Sequence, residues 1–200
     1  MGTERWYIAL PGDCDLLKRA QIDPAFGEYL GCPSIFETGG HDNWPRSKVF
    51  REFCEAVKHL NVEHPGIAAR VFTLDRSYDK VHYLISEARR TGEDEDDLGS
   101  KAIRGATSLP SHLKGGQGHS IRYSSPEEVA AIANWLSAIT FDSLRRFYFP
   151  EDMDLTVYKF VFYPGDPDLA FEEIRERFNG LKAFYSEVAL HGEAIVTVVT

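Results

Sequence analysis

Between Asp166 and Gly192 apolar residues recur at three- and four-residue steps, as Phe171, Ile174, Phe178, Leu181, Tyr185 and Val188, and Ala194-Ile195-Val196-Thr197-Val198-Val199 follows almost unbroken in branched residues. The first pattern is one apolar face of a long helix. The second is an interior strand, buried on both faces and needing a neighbour on each edge. The helical register continues across Asn179-Gly180, so one helix is expected there despite a glycine cost of about 1 kcal/mol. An aromatic stripe of this kind is core before it is a cofactor box.

The rest of the chain supplies the partners. Arg5 to Leu10 is a short aromatic and branched run closed by Pro11-Gly12, which predicts a strand and a turn, and Asp13 can cap a short helix through Ala20. Ile22 to Pro45 has no period and is expected to be mostly irregular. From Pro45 to Leu60, Val49, Phe50, Phe53, Val57 and Leu60 share one helical face. Ile67 to Leu74 reads as a strand, and Leu74 to Ile85 as an amphipathic helix. Ser125-Pro126-Glu127-Glu128 is a capping box opening a helix with Val129, Ile132, Leu136 and Ile139 on its inner face. A further short helix follows from Thr140 or Asp142, and Asp154 to Tyr163, dense in Val, Tyr and Phe, reads as a buried strand.

At 200 residues with 43% hydrophobic and 26% charged, the chain is long enough for a sizeable core, and no linker or repeat divides it, so residues 1–200 are expected to form one domain. The net charge of -9 opposes general nucleic-acid binding and is compatible with a basic protein partner. Three cysteines, Cys14, Cys32 and Cys54, with no Cys-x-x-Cys spacing read as reduced thiols. No leader pattern and no run of about 18 apolar residues is present, so a cytoplasmic location without membrane contact is expected.

Candidate chemistry is sparse. His82 lies beside Asp75 and Asp79 on the flank of the Leu74 to Ile85 stripe, and Asp79 and His82 are three apart, near enough on a helix to touch. His59 and His64 lack a third metal ligand, and Pro65 ends any helix between them. The acid run from Glu93 to Asp97 lacks the central glycine of a calcium loop and reads as a solvated loop. Lys114-Gly115-Gly116-Gln117-Gly118-His119 has neither the dinucleotide nor the Walker spacing. No metal, cofactor or nucleophile-base-orienter set is expected.

The order of several motifs resembles the YfbM-like bacterial family, a family of domains of unknown function. Leu74-Asp75-x-x-Tyr78-Asp79-x-x-His82-x-Leu84 is similar to its Leu-Asp-Lys-x-Trp-x-x-Leu-His helix, and Ala102-Ile103-x-Gly105 to the short segment before its glycine loop. Gly116-x-Gly118 and then Arg122-Tyr123-x-x-Pro126-Glu127-Glu128-Val129 resemble its Gly-Tyr-Gly-Pro-Ala-Arg-Tyr-Leu-x-Pro-Glu-Glu-Val. Tyr163-Pro164, Leu181-Lys182-x-Phe184-Tyr185 and Gly192 resemble its closing elements. Tyr78 stands where Trp is usual, Ile85-Ser86 where Thr-Gly is expected, and the spacer at His119-Ser120-Ile121 is one residue longer. The resemblance covers residues 70–200 best, with 22–66 a family-variable elaboration. It implies an α+β fold, a single compact domain with a mixed or antiparallel sheet of few strands packed with several helices, and no established activity.

Two functional readings stand side by side. The first is a binding or interaction protein that engages a basic protein partner, such as a toxin it neutralises. The second is a small-ligand site or enzyme built from Asp75, Asp79, His82, Gly118, His119, Arg122 and Tyr123, with His82 as base and Arg122 gripping a small anionic ligand. The second requires His82 and Arg122 to converge on one pocket.

Overall fold

The computed structural model of the chain describes residues 3–38, 47–67, 70–92, 96–110, 121–161 and 165–200. In chain order its elements are β1 (Arg5–Pro11), α1 (Asp15–Ile22), α2 (Pro24–Gly27), α3 (Ser34–Thr38), α4 (Lys48–Glu63), β2 (Val71–Asp75), α5 (Tyr78–Ile85), α6 (Glu87–Thr91) and α7 (Leu98–Arg104). They continue through β3 (Thr107–Ser108), β4 (Arg122–Ser124), α8 (Pro126–Ala138), α9 (Pro150–Thr156), α10 (Pro167–Leu190) and β5 (Glu193–Val199), with 3-10 turns at Glu28–Gly31 and Phe141–Phe147.

The last strand is interior, as its branched run requires. β5 pairs with β1 along its whole length and with β4 on its other edge, and the sheet order is β2-β1-β5-β4-β3, antiparallel throughout. Alternation along the two central strands divides the interior into two cores. Tyr7, Ala9 and Ile195 face one core with residues of α5, α7, α8 and α10. Ile8, Leu10, Ala194, Val196 and Val198 face the other with α1, α4 and the short helices between them. The sheet is therefore a middle layer with helices on both faces, and the chain is one compact α+β domain.

Local signals explain most of the helices. Ser125 and Glu128 close the expected capping box at the start of α8. Ser47 caps α4 through Phe50 N–H, and Phe50, Phe53, Val57 and Leu60 are buried along one face. α10 is one helix through Asn179-Gly180, because Gly180 lies under the ring of Phe72: an added Cβ would sit 3.1 Å from Phe72 Cε2. The glycine is retained for packing, which offsets its poor helix propensity.

Three expectations are corrected. Residues 22–38 are not irregular: Asp23 caps α2, and Phe26, Leu30, Ile35 and Phe36 are buried in the second core, so isolated aromatics without a period are anchors of short helical turns. The helix expected from Leu74 starts at Tyr78, because Leu74 and Asp75 belong to β2, which ends with Asp75 at φ 48°. Asp154 does not open a strand. Pro150 at the first helical turn, with Glu151 and Asp152 behind it, starts α9, which buries Met153 and ends at Val157. Tyr163 and the Lys114 to His119 loop lie outside the described residues.

Candidate functional site

The end of α5 and the starts of α6 and α7 create the polar centre of the first core. α5 ends at Ser86, whose backbone is extended, and Ser86 then caps α6 by accepting from Arg89 N–H at 2.9 Å. Asp97 caps α7 by accepting from Ser100 N–H at 2.7 Å, and its other oxygen accepts from Ala88 N–H at 3.0 Å and from the Ser86 hydroxyl at 2.9 Å. One carboxylate thus binds the starts of α6 and α7 to each other.

His82 joins this network from α5. Its Nε2 is 3.0 Å from Ser100 Oγ, which is 2.9 Å from Ser86 Oγ, and His82, Ser86 and Ser100 are all buried. The carboxylate fixes the direction of the protons. Ser86 donates to Asp97, so Ser86 accepts from Ser100; Ser100 then has no proton for the imidazole and accepts from His82 Nε2–H. His82 cannot deprotonate Ser100 in this arrangement, and the Ser-His-Asp composition does not form an activated nucleophile. Burial, reinforced by the charge of Arg104, pushes the His82 pKa down to about 3 against the attraction of Asp79, so the ring is neutral. Burial alone would raise the Asp97 pKa, but the hydrogen bonds from Ala88, Ser100 and Ser86 outweigh it and hold the carboxyl below its ordinary value.

The other expected site residues go elsewhere. Asp79 is three residues from His82 but turns to Arg89, whose Nε and a terminal nitrogen each donate at 3.0 Å, and to Tyr158 N–H at 2.8 Å. Burial opposes its ionisation, yet these contacts leave its pKa lowered. Asp75 pairs with Arg177 at 2.8 Å. Arg122 donates to the carbonyls of Gly105 and Ala106 at 2.9 and 2.7 Å and to Ser108 Oγ at 2.8 Å. Tyr123, the next residue of β4, packs on the second core, on the opposite face of the sheet. The sequence groups these four because they lie in two short motifs; strand alternation puts Arg122 and Tyr123 on opposite faces of the sheet, and Asp75 and Asp79 are each held by an arginine from another element. Gly118 and His119 lie outside the described residues. Among the described residues no group of three His, Cys, Asp or Glu side chains is placed to hold a metal ion, and no helix is long and apolar enough to cross a membrane.

A concave surface does exist beside the network, and sequence reasoning missed it. A cleft of about 380 Å³ runs between α6, α8 and the Phe141–Phe147 turn, lined by Leu84, Arg90, Leu98, Trp135, Arg146 and Phe147 among others. Arg90 lies 4.0 Å and Arg146 4.6 Å from the centre of the Phe147 ring. Arg90 also donates to the carbonyls of Tyr83 and Leu84 at 2.8 and 3.0 Å. The available signal was the doubled arginines. In Arg89-Arg90 and Arg145-Arg146 the first member makes an ion pair, to Asp79 and Asp168, while the second covers Phe147.

Comparison with known proteins agrees with the fold. Residues 40–198 match the family model described as "Domain of unknown function (DUF1877)". No curated protein matches the chain. Among solved structures, the crystal structure of YfbM from Escherichia coli, a protein of unknown function, superposes with a TM-score of 0.62 and 14% identity over 98% of this chain and 99% of that one. At that identity the likeness concerns the fold.

Proposed function

The chain belongs to the DUF1877 family of YfbM-like domains, and we propose that it acts by binding a basic protein partner rather than by catalysis. One observation carries this reading. Of the seven exposed large hydrophobics among the described residues, four fall between residues 149 and 169: Phe149 at 53%, Leu155 at 85%, Val161 at 53% and Leu169 at 46% exposure. The same stretch carries the exposed acids Glu151, Asp152, Asp154 and Asp166 against one cation, Lys159, and a fifth acid, Asp168, that pairs with Arg145. Apolar anchors interleaved with one sign of charge are suited to a partner of the opposite sign, the acids steering its approach and the apolar side chains supplying contact area. The polar groups around His82 support the same reading from the other side, because each is bonded within the fold. A toxin held inactive by this surface is one partner of that chemistry.

The cleft beneath Arg90, Arg146 and Phe147 supports a second reading, a small-ligand site, which moves the ligand away from His82 and Arg122. The two readings separate in one experiment. The immobilised wild-type chain and a variant carrying Asp154→Lys and Leu155→Lys are exposed to extract of the source cells at low salt. The wild type is expected to retain a basic protein that high salt releases, and the variant to retain about tenfold less of it. Equal retention by both chains, or none by the wild type, overturns the partner reading.

A further inference from the structure

The two outer edges of the sheet are unlike. β3, at one side, is two residues long, whereas β2, at the other, runs for five as Val71-Phe72-Thr73-Leu74-Asp75 and pairs only with β1. The direction of its backbone groups follows from the ladder. Ala9 N–H donates to the Arg70 carbonyl at 3.1 Å, so by antiparallel alternation Tyr7 and Phe72 are the next hydrogen-bonded pair. The far side of β1 agrees, because Glu4 and Thr200 exchange bonds at 2.9 and 3.0 Å, which turns Trp6 and Ile8 toward β5. Val71 and Thr73 therefore point their N–H and C=O away from β1, and among the described residues nothing bonds to them. Sheets guard such an edge with proline or lysine, and β2 has neither.

Beside this edge a groove of about 300 Å³ lies between β2 and α10, lined by Val71, Phe72, Gly180, Ala183 and Phe184 and by the charged pair Arg70 and Glu187. Phe72 stacks on Phe184 with ring centres 5.4 Å apart, and Gly180 lies against the same ring. The middle of β2 is thus under the middle of α10, and charge is placed on either side of it. Asp75 and Arg177 pair at 2.8 Å at one end. Arg70 pairs with Glu193 at 2.7 Å and stands 3.7 Å from Glu187 at the other. Between these ends the helix presents Gly180 and the exposed Ala183, small residues that let another surface approach closely.

We propose that β2 pairs with β2 of a second copy of this chain, antiparallel about a twofold axis through Phe72, so that the two sheets become one. In this register Val71 of each copy faces Thr73 of the other, and every outward N–H and C=O of both residues is bonded. A register centred on Thr73 would need Asp75, whose N–H is already held by Thr73 Oγ1 at 2.9 Å and whose φ of 48° ends the strand. Charge selects the second copy as the occupant. The axis exchanges the two ends of the edge, so Arg70 comes beside Asp75 of the other copy and Glu187 toward its Arg177, opposite signs meeting at both ends. The groove receives the apolar stem of that Arg177. Each copy carries one such edge, so the assembly closes at two. This edge lies on other elements than the partner surface at 149–169.

The test is sedimentation equilibrium of the intact chain across a dilution series, with amide hydrogen exchange read at Val71 and Thr73. The mass is expected to rise with concentration from 22.6 kDa to twice that value and no further, with both amides slowed in the concentrated sample. Val71→Pro removes an outward N–H and no bond to β1, and Ala183→Glu sets a carboxylate beside Glu187 on the exposed helix face. Each is expected to weaken the dimer by about tenfold or more. Ala183 is exposed, so A183E keeps the fold and decides the matter even where V71P does not fold. The D154K/L155K variant is expected to dimerise as the wild type does, so failure of the partner surface and failure of this edge are distinguishable. A mass of 22.6 kDa at every concentration overturns the proposal, as does growth beyond two copies or association that A183E leaves unchanged. Slowing of Val71 and Thr73 only when the basic partner is bound gives the edge to a strand of that partner and equally overturns self-pairing.

Discussion

Replacing His82 by Gln should make the protein less sensitive to mild acid. His82 is 1% exposed and its pKa is drawn from 6.5 in the unfolded chain to about 3 in the folded one. The unfolded state therefore takes up the proton first, and stability falls as pH drops through 6.5 and continues to fall until the folded pKa near 3 is reached. Each pH unit inside that window costs about 1.4 kcal/mol, so His82 alone should remove about 2 kcal/mol between pH 7.5 and pH 5. Carboxylates with lowered pKa, Asp79 and Asp97, contribute mainly below their ordinary range near pH 4, which leaves the interval above pH 5 to histidine. Gln retains an N–H that can donate to Ser100 Oγ and does not titrate. Urea unfolding of both proteins at the two pH values gives the difference directly. An H82Q protein that loses as much stability as the wild type over this interval would refute the buried neutral imidazole and the proton order derived from it.

Gly99→Ala should lower stability by about 1–3 kcal/mol, because the new Cβ would stand 2.4 Å from the Ile85 carbonyl oxygen, a backbone atom held by the α5 to α7 junction. A urea midpoint equal to that of the wild type would show that this junction yields. Asp79→Asn should cost about 3 kcal/mol near neutral pH, since the pair with Arg89 is largely shielded, at 13% and 20% side-chain exposure, and its loss leaves the guanidinium without a counter-charge. The Asp79 pKa is lowered in the fold, so this contribution is present above its ordinary unfolded value and is lost as pH falls through the folded one. The D79N deficit should therefore shrink in strong acid, and a deficit independent of pH would contradict the ion-pair account.

Where local chemistry determines structure, the sequence was sufficient. The α10 stripe, the branched run of β5 and the Ser125 capping box were legible because periodicity, burial and capping act over a few residues. The Asp154 segment was misread because its β-branched and aromatic content outweighed a shorter signal, Pro150 followed by two acids, which sets the helix start. Phe26, Leu30, Ile35 and Phe36 reach the core from short turns that have no repeat to detect. At the candidate site, proximity in sequence suggested that Asp79 and His82 meet, whereas Arg89 and Ser100, on later helices, capture each of them. The cleft was invisible for the same reason, since Arg90, Trp135 and Phe147 come together only when three separate elements pack.

Hydrogen exchange of the chain, alone and bound to the basic protein it retains, tests the binding account most directly. Slowed exchange is expected in α9 and in the first turns of α10, where Leu155 and Leu169 stand exposed among acids, with the α6 to α8 cleft unchanged. Protection confined instead to the residues around Arg90, Trp135 and Phe147 would contradict the account and move the site of action to the cleft.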